Sequence, residues 1–226
     1  MKTYLELIDN SKIINMIQVM DDGTKKERTI TVEDLAASFT SSIEGKSFVD
    51  IKSDIFREVK GCRLIQTKII GPKAKIYALL STKSRIPMQL FNRFYDNVGI
   101  PNLIYAIHVV NNRLTKIYVV ATKDTDIKKS TELFIYPFTN VSGRKGQACL
   151  GRNSFAPGIE DNDCEELYNV HRQFMSMPNN LDYYRATNNT KCYECEDLIK
   201  SLVNVDFDDD MLVSHQLTYG EWFCNL

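Results

Sequence analysis

The residue types able to do chemistry concentrate in one stretch, Phe134 to Gly151. A β-rich run, Glu132-Leu133-Phe134-Ile135-Tyr136, delivers the chain to Pro137. Asn140 follows three positions later and Cys149 nine after that, among the small and flexible Gly143, Gly146, Ala148 and Gly151. An amide and a thiol therefore share one irregular loop. A thiol accepts an acyl group through its thiolate, and attack of an amine on the resulting thioester builds an oxyanion that calls for a hydrogen-bond donor. The Asn140 side-chain N–H can supply that donor, and Ala148 and Gly151 leave a bulky acyl donor room to approach the sulfur. Read alone, Cys149 is a small buried hydrophobe; the surrounding Pro, Asn and Cys-Leu-Gly pattern favours a nucleophile. Asn140 stands open between an oxyanion donor and a turn residue bonded to its own backbone.

The other chemistry-bearing residues read as structural. His171 lies in a helical pattern and invites a Cys–His dyad, but nothing in the sequence sets it beside Cys149, so a surface or half-buried helix histidine is expected. Cys192 and Cys195 have metal-ligand spacing without a second pair, and His108, His171 and His215 are scattered singly, which argues against zinc. No thioredoxin-like pattern surrounds the two cysteines, so they read as packing at a helix start. The six cysteines, irregularly spaced, are expected to be thiols. Arg144 and Lys145 read as a solvated loop tip, and Asp206-Phe207-Asp208-Asp209-Asp210 as a solvated acidic linker.

The elements that must position the loop follow from periodicity. An N-terminal strand pair is expected, with Asp21-Asp22-Gly23 as the turn between the run ending at Met20 and Arg28 to Val32. Thr31 caps a short helical stretch with Val32, Leu35, Ala36 and Phe39 on one face, and a polar linker runs from Thr40 to Gly45. Strands are expected over Cys62 to Ile70 and Lys75 to Leu80, divided by Gly71-Pro72. From Pro87 to Val98, Phe91, Phe94, Tyr95 and Val98 recur at helical spacing, with Gly99 as a stop. Leu103 to Val110 and Leu114 to Ala121 form a hairpin through Asn111-Asn112-Arg113, the first strand being apolar on both faces and so interior. A helix resumes at Asp163-Cys164-Glu165-Glu166, a capping-box pattern, with Leu167, Val170 and Phe174 on one face and Pro178 beyond its end. The last covers Glu194 to Val203, aligning Cys195, Leu198 and Leu202.

Composition bounds the function classes. The 226 residues carry 28 Lys+Arg against 29 Asp+Glu, a formal net charge of -1, which excludes a generally basic nucleic-acid coat. With 43% hydrophobic residues the chain can bury an ordinary core. No uncharged apolar run reaches the roughly 18 residues of a membrane span. Glu6 falls where a signal peptide would begin its apolar region. The expectation is a cytoplasmic protein that engages neither nucleic acid nor membrane.

The stretch resembles the ubiquitin-conjugating enzyme superfamily, whose members carry His-Pro-Asn a short loop before a catalytic Cys followed by Leu. It is more similar to prokaryotic ubiquitin-conjugating-like proteins of the PRTRC system protein B type, with Pro-Phe-x-Asn-Val, a Gly-rich link and Cys-Leu-Gly. Here these are Pro137-Phe138-Thr139-Asn140-Val141 and Cys149-Leu150-Gly151. Tyr136 stands where the eukaryotic pattern has His, and Phe138 and Thr139 separate Pro137 from Asn140, so Asn140 matches less closely than Cys149. The resemblance implies an α+β fold. Its ubiquitin-conjugating-like core, an antiparallel sheet flanked by helices, would cover residues 83–226, and an added β-rich N-terminal part residues 1–82. It implies a bacterial acyl (thioester) transferase whose catalytic Cys149 carries a ubiquitin-like protein from an activating enzyme to an acceptor, with Asn140 supporting the loop or the oxyanion. No cofactor is implied, because ATP is consumed at the activating enzyme. The implied partners are a ThiF-type activating enzyme, a ubiquitin-like protein and a JAB-type metallopeptidase. The alternatives are a non-catalytic module of the same fold that binds a ubiquitin-like protein, and a cysteine hydrolase using a base such as His171.

Overall fold

The computed structural model describes residues 2–7, 12–33, 35–36, 50–51, 61–71, 73–142, 145–151, 164–191 and 193–226. They divide into two compact units, residues 1–49 with 70–72, and residues 50–69 with 73–226. In the first unit the strand-forming N-terminal run breaks in two. The expected pair is therefore a three-stranded antiparallel sheet of β1 (Lys2–Leu7), β2 (Ile13–Val19) and β3 (Lys25–Thr31). The β2–β3 turn falls at the expected Asp21-Asp22-Gly23. There Gly23 takes φ +83° and the Asp22 carboxylate accepts from the Thr24 amide at 2.9 Å, the local bond that makes Asp a turn former. Residues 32–33 and 35–36 are helical; Phe39 and the linker 40–45 lie outside the described residues.

The second unit is a nine-stranded sheet. Its first strands are β4 (Asp50–Ile51), β5 (Cys62–Gly71) and β6 (Ala74–Ser81). A separate hairpin, β7 (Ser84–Leu90) and β8 (Arg93–Ile100), precedes β9 (Asn102–Val110), β10 (Arg113–Thr122) and β11 (Glu132–Phe134). A small hairpin, β12 (Val141–Ser142) and β13 (Gln147–Ala148), leads to α1 (Cys164–Met175), α2 (Ala186–Asn189), α3 (Cys195–Ser201), β14 (Ser214–Thr218) and α4 (Tyr219–Cys224). The sheet order is β12-β13-β10-β9-β6-β5-β4, with β11 joining β10 to β14. β5 and β6 lie in the same sheet as β9 and β10, so strands from either side of position 82/83 belong to one sheet.

Strand periodicity accounts for the two faces of this sheet. Tyr77 and Leu79 of β6, Leu103, Tyr105 and Ile107 of β9, and Ile117, Val119 and Ala121 of β10 pack with Leu167, Val170 and Phe174 of α1 and Leu198 and Ile199 of α3. The alternate residues, Ile76, Ala78, Leu80, Ile104, Ala106, Tyr118 and Val120, pack with Tyr219, Trp222 and Phe223 of α4. The sheet is thus covered by helices on both faces, and β9 is interior, as its two-sided apolar pattern predicts. The β9–β10 turn places Asn111 and Asn112 at φ +51° and +58°, the backbone that a two-residue hairpin loop requires.

Three expectations are corrected. Residues 87–98 are not a helix: Met88, Leu90, Val98 and Ile100 are buried while Phe91 and Phe94 are 53% and 74% exposed. Burial alternates toward the end of β7, Val98 to Ile100 are all buried in β8, and the turn falls at Phe91-Asn92. Gly99 is accordingly no helix stop. A Cβ there would collide with the backbone of Val205 to Phe207, and its amide donates to Leu202 O at 3.0 Å. Finally, the acidic run is not a free linker. Phe207 is buried, and Asp206, Asp209 and Asp210 pair with Arg85, Lys83 and Lys123 at 2.8, 2.8 and 3.5 Å.

Candidate functional site

The segment after β11 runs inward before it turns out. Tyr136 and Phe138 are buried, their rings 5.7 Å apart, and burial pushes the Tyr136 phenol well above its usual range. Two buried amides hold this segment. Asn189 Nδ2 donates to Tyr136 O and Phe138 O at 3.1 and 3.2 Å. Thr139 Oγ1 donates at 2.7 Å to Asn179 Oδ1, whose amide in turn donates to Gln89 O at 3.1 Å. Buried backbone carbonyls need such partners.

Asn140 sits in the left-handed region at φ +66°, which asparagine tolerates better than most residues. Its side-chain amide donates to Pro178 O at 3.0 Å, and its backbone amide to Asp182 O at 3.4 Å. The chain then forms the β12–β13 hairpin, and the Cys149 amide returns to Asn140 O at 2.7 Å. The structure therefore brings the two expected site residues together, through the backbone. Ala148 is buried and Leu150 packs on the core, whereas Cys149 between them is exposed. Strand-like alternation thus turns the thiol outward.

The hairpin is fixed to its surroundings at Gly146, whose φ is +74° and whose missing Cβ would meet Val119 O. Gly146 O accepts from the Val119 amide at 2.7 Å. Lys145 is exposed, yet it is tied to the C-terminal segment. Trp222 Nε1 donates to Lys145 O at 2.9 Å, and Lys145 Nζ donates to Asn225 O at 3.0 Å. Lys68 Nζ donates to Phe223 O and Cys224 O at 3.3 and 3.0 Å, placing a cation where the last carbonyls of α4 are otherwise unpaired. Arg144 lies outside the described residues.

Beside β12, a cavity of about 670 Å³ is lined by Ile135, Val141, Tyr183, Arg185, Gln216 and Leu217, with further residues of α2 and β14. Val141, which follows Asn140 directly, forms part of its wall. Tyr183 and Gln216 both take positive φ, +64° and +60°.

His171 is held in α1 between the rings of Tyr105 and Tyr168, at centroid distances of 4.6 and 5.7 Å. Neither ring nitrogen has a hydrogen-bond partner among the described residues. Burial, with a smaller contribution from Arg172, lowers its pKa to about 4. It matches the half-buried helix histidine of the sequence analysis, and no contact joins it to Cys149. Cys195 opens α3 as a buried packing residue, its thiol pushed up to about 12 by desolvation and then by Glu194 and Glu196. Cys192 and Asp163 lie outside the described residues.

Asn179 and Asn189 were not legible as site residues. They fall 39 and 49 positions after Asn140, and their only sequence signal is the run of asparagines after Pro178 and Ala186. The class defined by fold and site is a strand-rich α+β protein with an exposed cysteine on a stapled loop. The chain matches no family model, no curated protein and no solved structure significantly.

Proposed function

We propose that this protein carries a ubiquitin-like protein as a thioester on Cys149, receiving it from an adenylating activating enzyme of ThiF type and passing it to an amine or another acceptor. The observation that supports this reading is the outward-facing Cys149 thiol, one backbone hydrogen bond from Asn140 on a loop anchored at both ends. In the first step, the thiolate attacks the acyl-adenylate carbonyl, the C–S bond forms, the C–O bond to the phosphate breaks and AMP leaves. In the second, an acceptor amine attacks the thioester, the amide forms and the thiolate departs. The hydrogen bonds at Asn140 and Lys145 lower the entropic cost of presenting the sulfur to two successive partners. Asn140 acts here as a positioning residue. One of its two side-chain N–H bonds is engaged by Pro178 O, which supports a contribution through the loop geometry that sets Cys149. The cavity whose wall includes Val141, the residue after Asn140, would take the extended end of the carried protein.

The test is intact mass and non-reducing gel shift after incubation with the activating enzyme, the ubiquitin-like protein and ATP. The expected result is an adduct cleaved by thiols, absent in Cys149→Ala and replaced by a thiol-resistant ester in Cys149→Ser. No adduct with a demonstrably active activating enzyme, alongside binding of the ubiquitin-like protein, would leave the non-catalytic module as the reading.

A further inference from the structure

A second cavity, of about 650 Å³, lies between the β7–β8 hairpin and α1, and it shares no residue with the Cys149 loop. Its volume is within the range of small-molecule sites. Its walls combine two chemistries. Ile86, Ile100, Tyr168 and Met175 supply an apolar surface, while Arg85 from β7 and Arg172 from α1 supply two guanidinium groups from different elements. No carboxylate is among the described residues that line it.

The two arginines are available in different degrees. Arg172 makes no ion pair among the described residues, and its guanidinium lies over the Tyr168 ring at 5.9 Å. Arg85 Nε pairs with Asp206 at 2.8 Å, but that partner's side chain is 78% exposed. An ion pair so open to solvent is weak and gives way to a better-placed anion. Guanidinium groups bind carboxylate and phosphate in a planar, bidentate geometry. With the apolar wall beside them, they select an anion that carries a hydrophobic body over an inorganic ion.

We propose that the cleft between the β7–β8 hairpin and α1 is a binding site for a small organic anion. Its carboxylate or phosphate head lies with Arg85 and Arg172, and its aromatic or aliphatic body rests on Ile86, Ile100 and Met175. The inference does not depend on the chemistry proposed for Cys149.

The experiment uses 8-anilinonaphthalene-1-sulfonate, an anionic aromatic probe, titrated into the full chain at neutral pH and followed by its fluorescence. Saturable binding at one site is expected. Arg172→Gln should weaken it by about fivefold and Arg85→Gln by about twofold, the smaller effect reflecting the Asp206 pairing. Asp206→Asn, which releases Arg85, should tighten it by about twofold. The uncharged N-phenyl-1-naphthylamine should bind more weakly and be insensitive to all three changes. Competition by phenyl phosphate against benzoate assigns the head group. Ser176→Trp, a bulky change at an exposed lining residue, should abolish binding while circular dichroism stays unchanged. The proposal is overturned if no probe binds, or if a folded Arg85→Gln/Arg172→Gln double variant binds the anionic probe as tightly as the native chain.

Discussion

Asn140 separates a geometric role from a chemical one. Its φ of +66° suits asparagine or glycine, and its side chain is committed to Pro178 O. Asn140→Ala loses both the backbone tolerance and the bond, and should cost about 2–3 kcal/mol in urea unfolding. Asn140→Gly keeps the backbone and loses only the bond, at about 1 kcal/mol. On the positioning role, Asn140→Gly forms the Cys149 thioester at nearly the native rate while Asn140→Ala is impaired. Normal loading in both variants with loss of transfer to amines in both would instead assign the oxyanion to this amide. Cys149 stood out in the sequence only through the surrounding Pro, Asn and Cys-Leu-Gly pattern, whereas its exposure beside buried Ala148 belongs to the fold. The amides of Asn179 and Asn189 were not readable, because their partners are carbonyls brought close only by the tertiary fold.

At the level of elements, what could be read depended on whether the apolar spacing fitted one period or two. The β9–β10 hairpin, α1 and α3 each carry a single pattern that the structure keeps. Residues 87–98 carry both. Phe91, Phe94, Tyr95 and Val98 fit a helix, whereas Met88, Leu90, Val98 and Ile100 fit strands, and the buried sheet and helices accept only the second set. Large exposed aromatics at a hairpin turn mislead any argument based on helical faces. Gly99 tests this hairpin's seating. Gly99→Ala must displace the backbone at Val205 to Phe207 and should destabilise the protein by roughly 2–4 kcal/mol. Gly71→Ala, whose added Cβ meets nothing within 4 Å among the described residues, should stay within about 1 kcal/mol of the native chain. Equal midpoints for the two variants in denaturant would refute the close approach.

For the molecule as a whole, α1 of the second unit holds a half-buried histidine whose neutral form the fold favours. His171 has a folded-state pKa of about 4, below the usual 6.5, because burial penalises the imidazolium. The unfolded chain therefore binds more protons than the folded one between these values. The associated stability is complete above pH 6.5 and is lost as pH falls toward 4, by roughly 3 kcal/mol in all. Arg172 adjoins the group, and Tyr105 and Tyr168 flank it. Denaturant titrations at pH 7 and pH 4.5 should show the loss. His171→Phe, which keeps a ring against Tyr105 without a titrating group, should remove most of it. An identical acid slope in both proteins would place the titration elsewhere. The Arg85–Asp206 and Lys123–Asp210 pairs, whose carboxylates are exposed, matter less to stability.

Trp222 is the chain's single tryptophan, and its indole N–H is spent on the carbonyl of Lys145, four residues before Cys149. The protein therefore carries a native chromophore wired to the Cys149 loop. Whatever is attached to the sulfur, movement of that loop is written into the emission of one fluorophore, with no label to install.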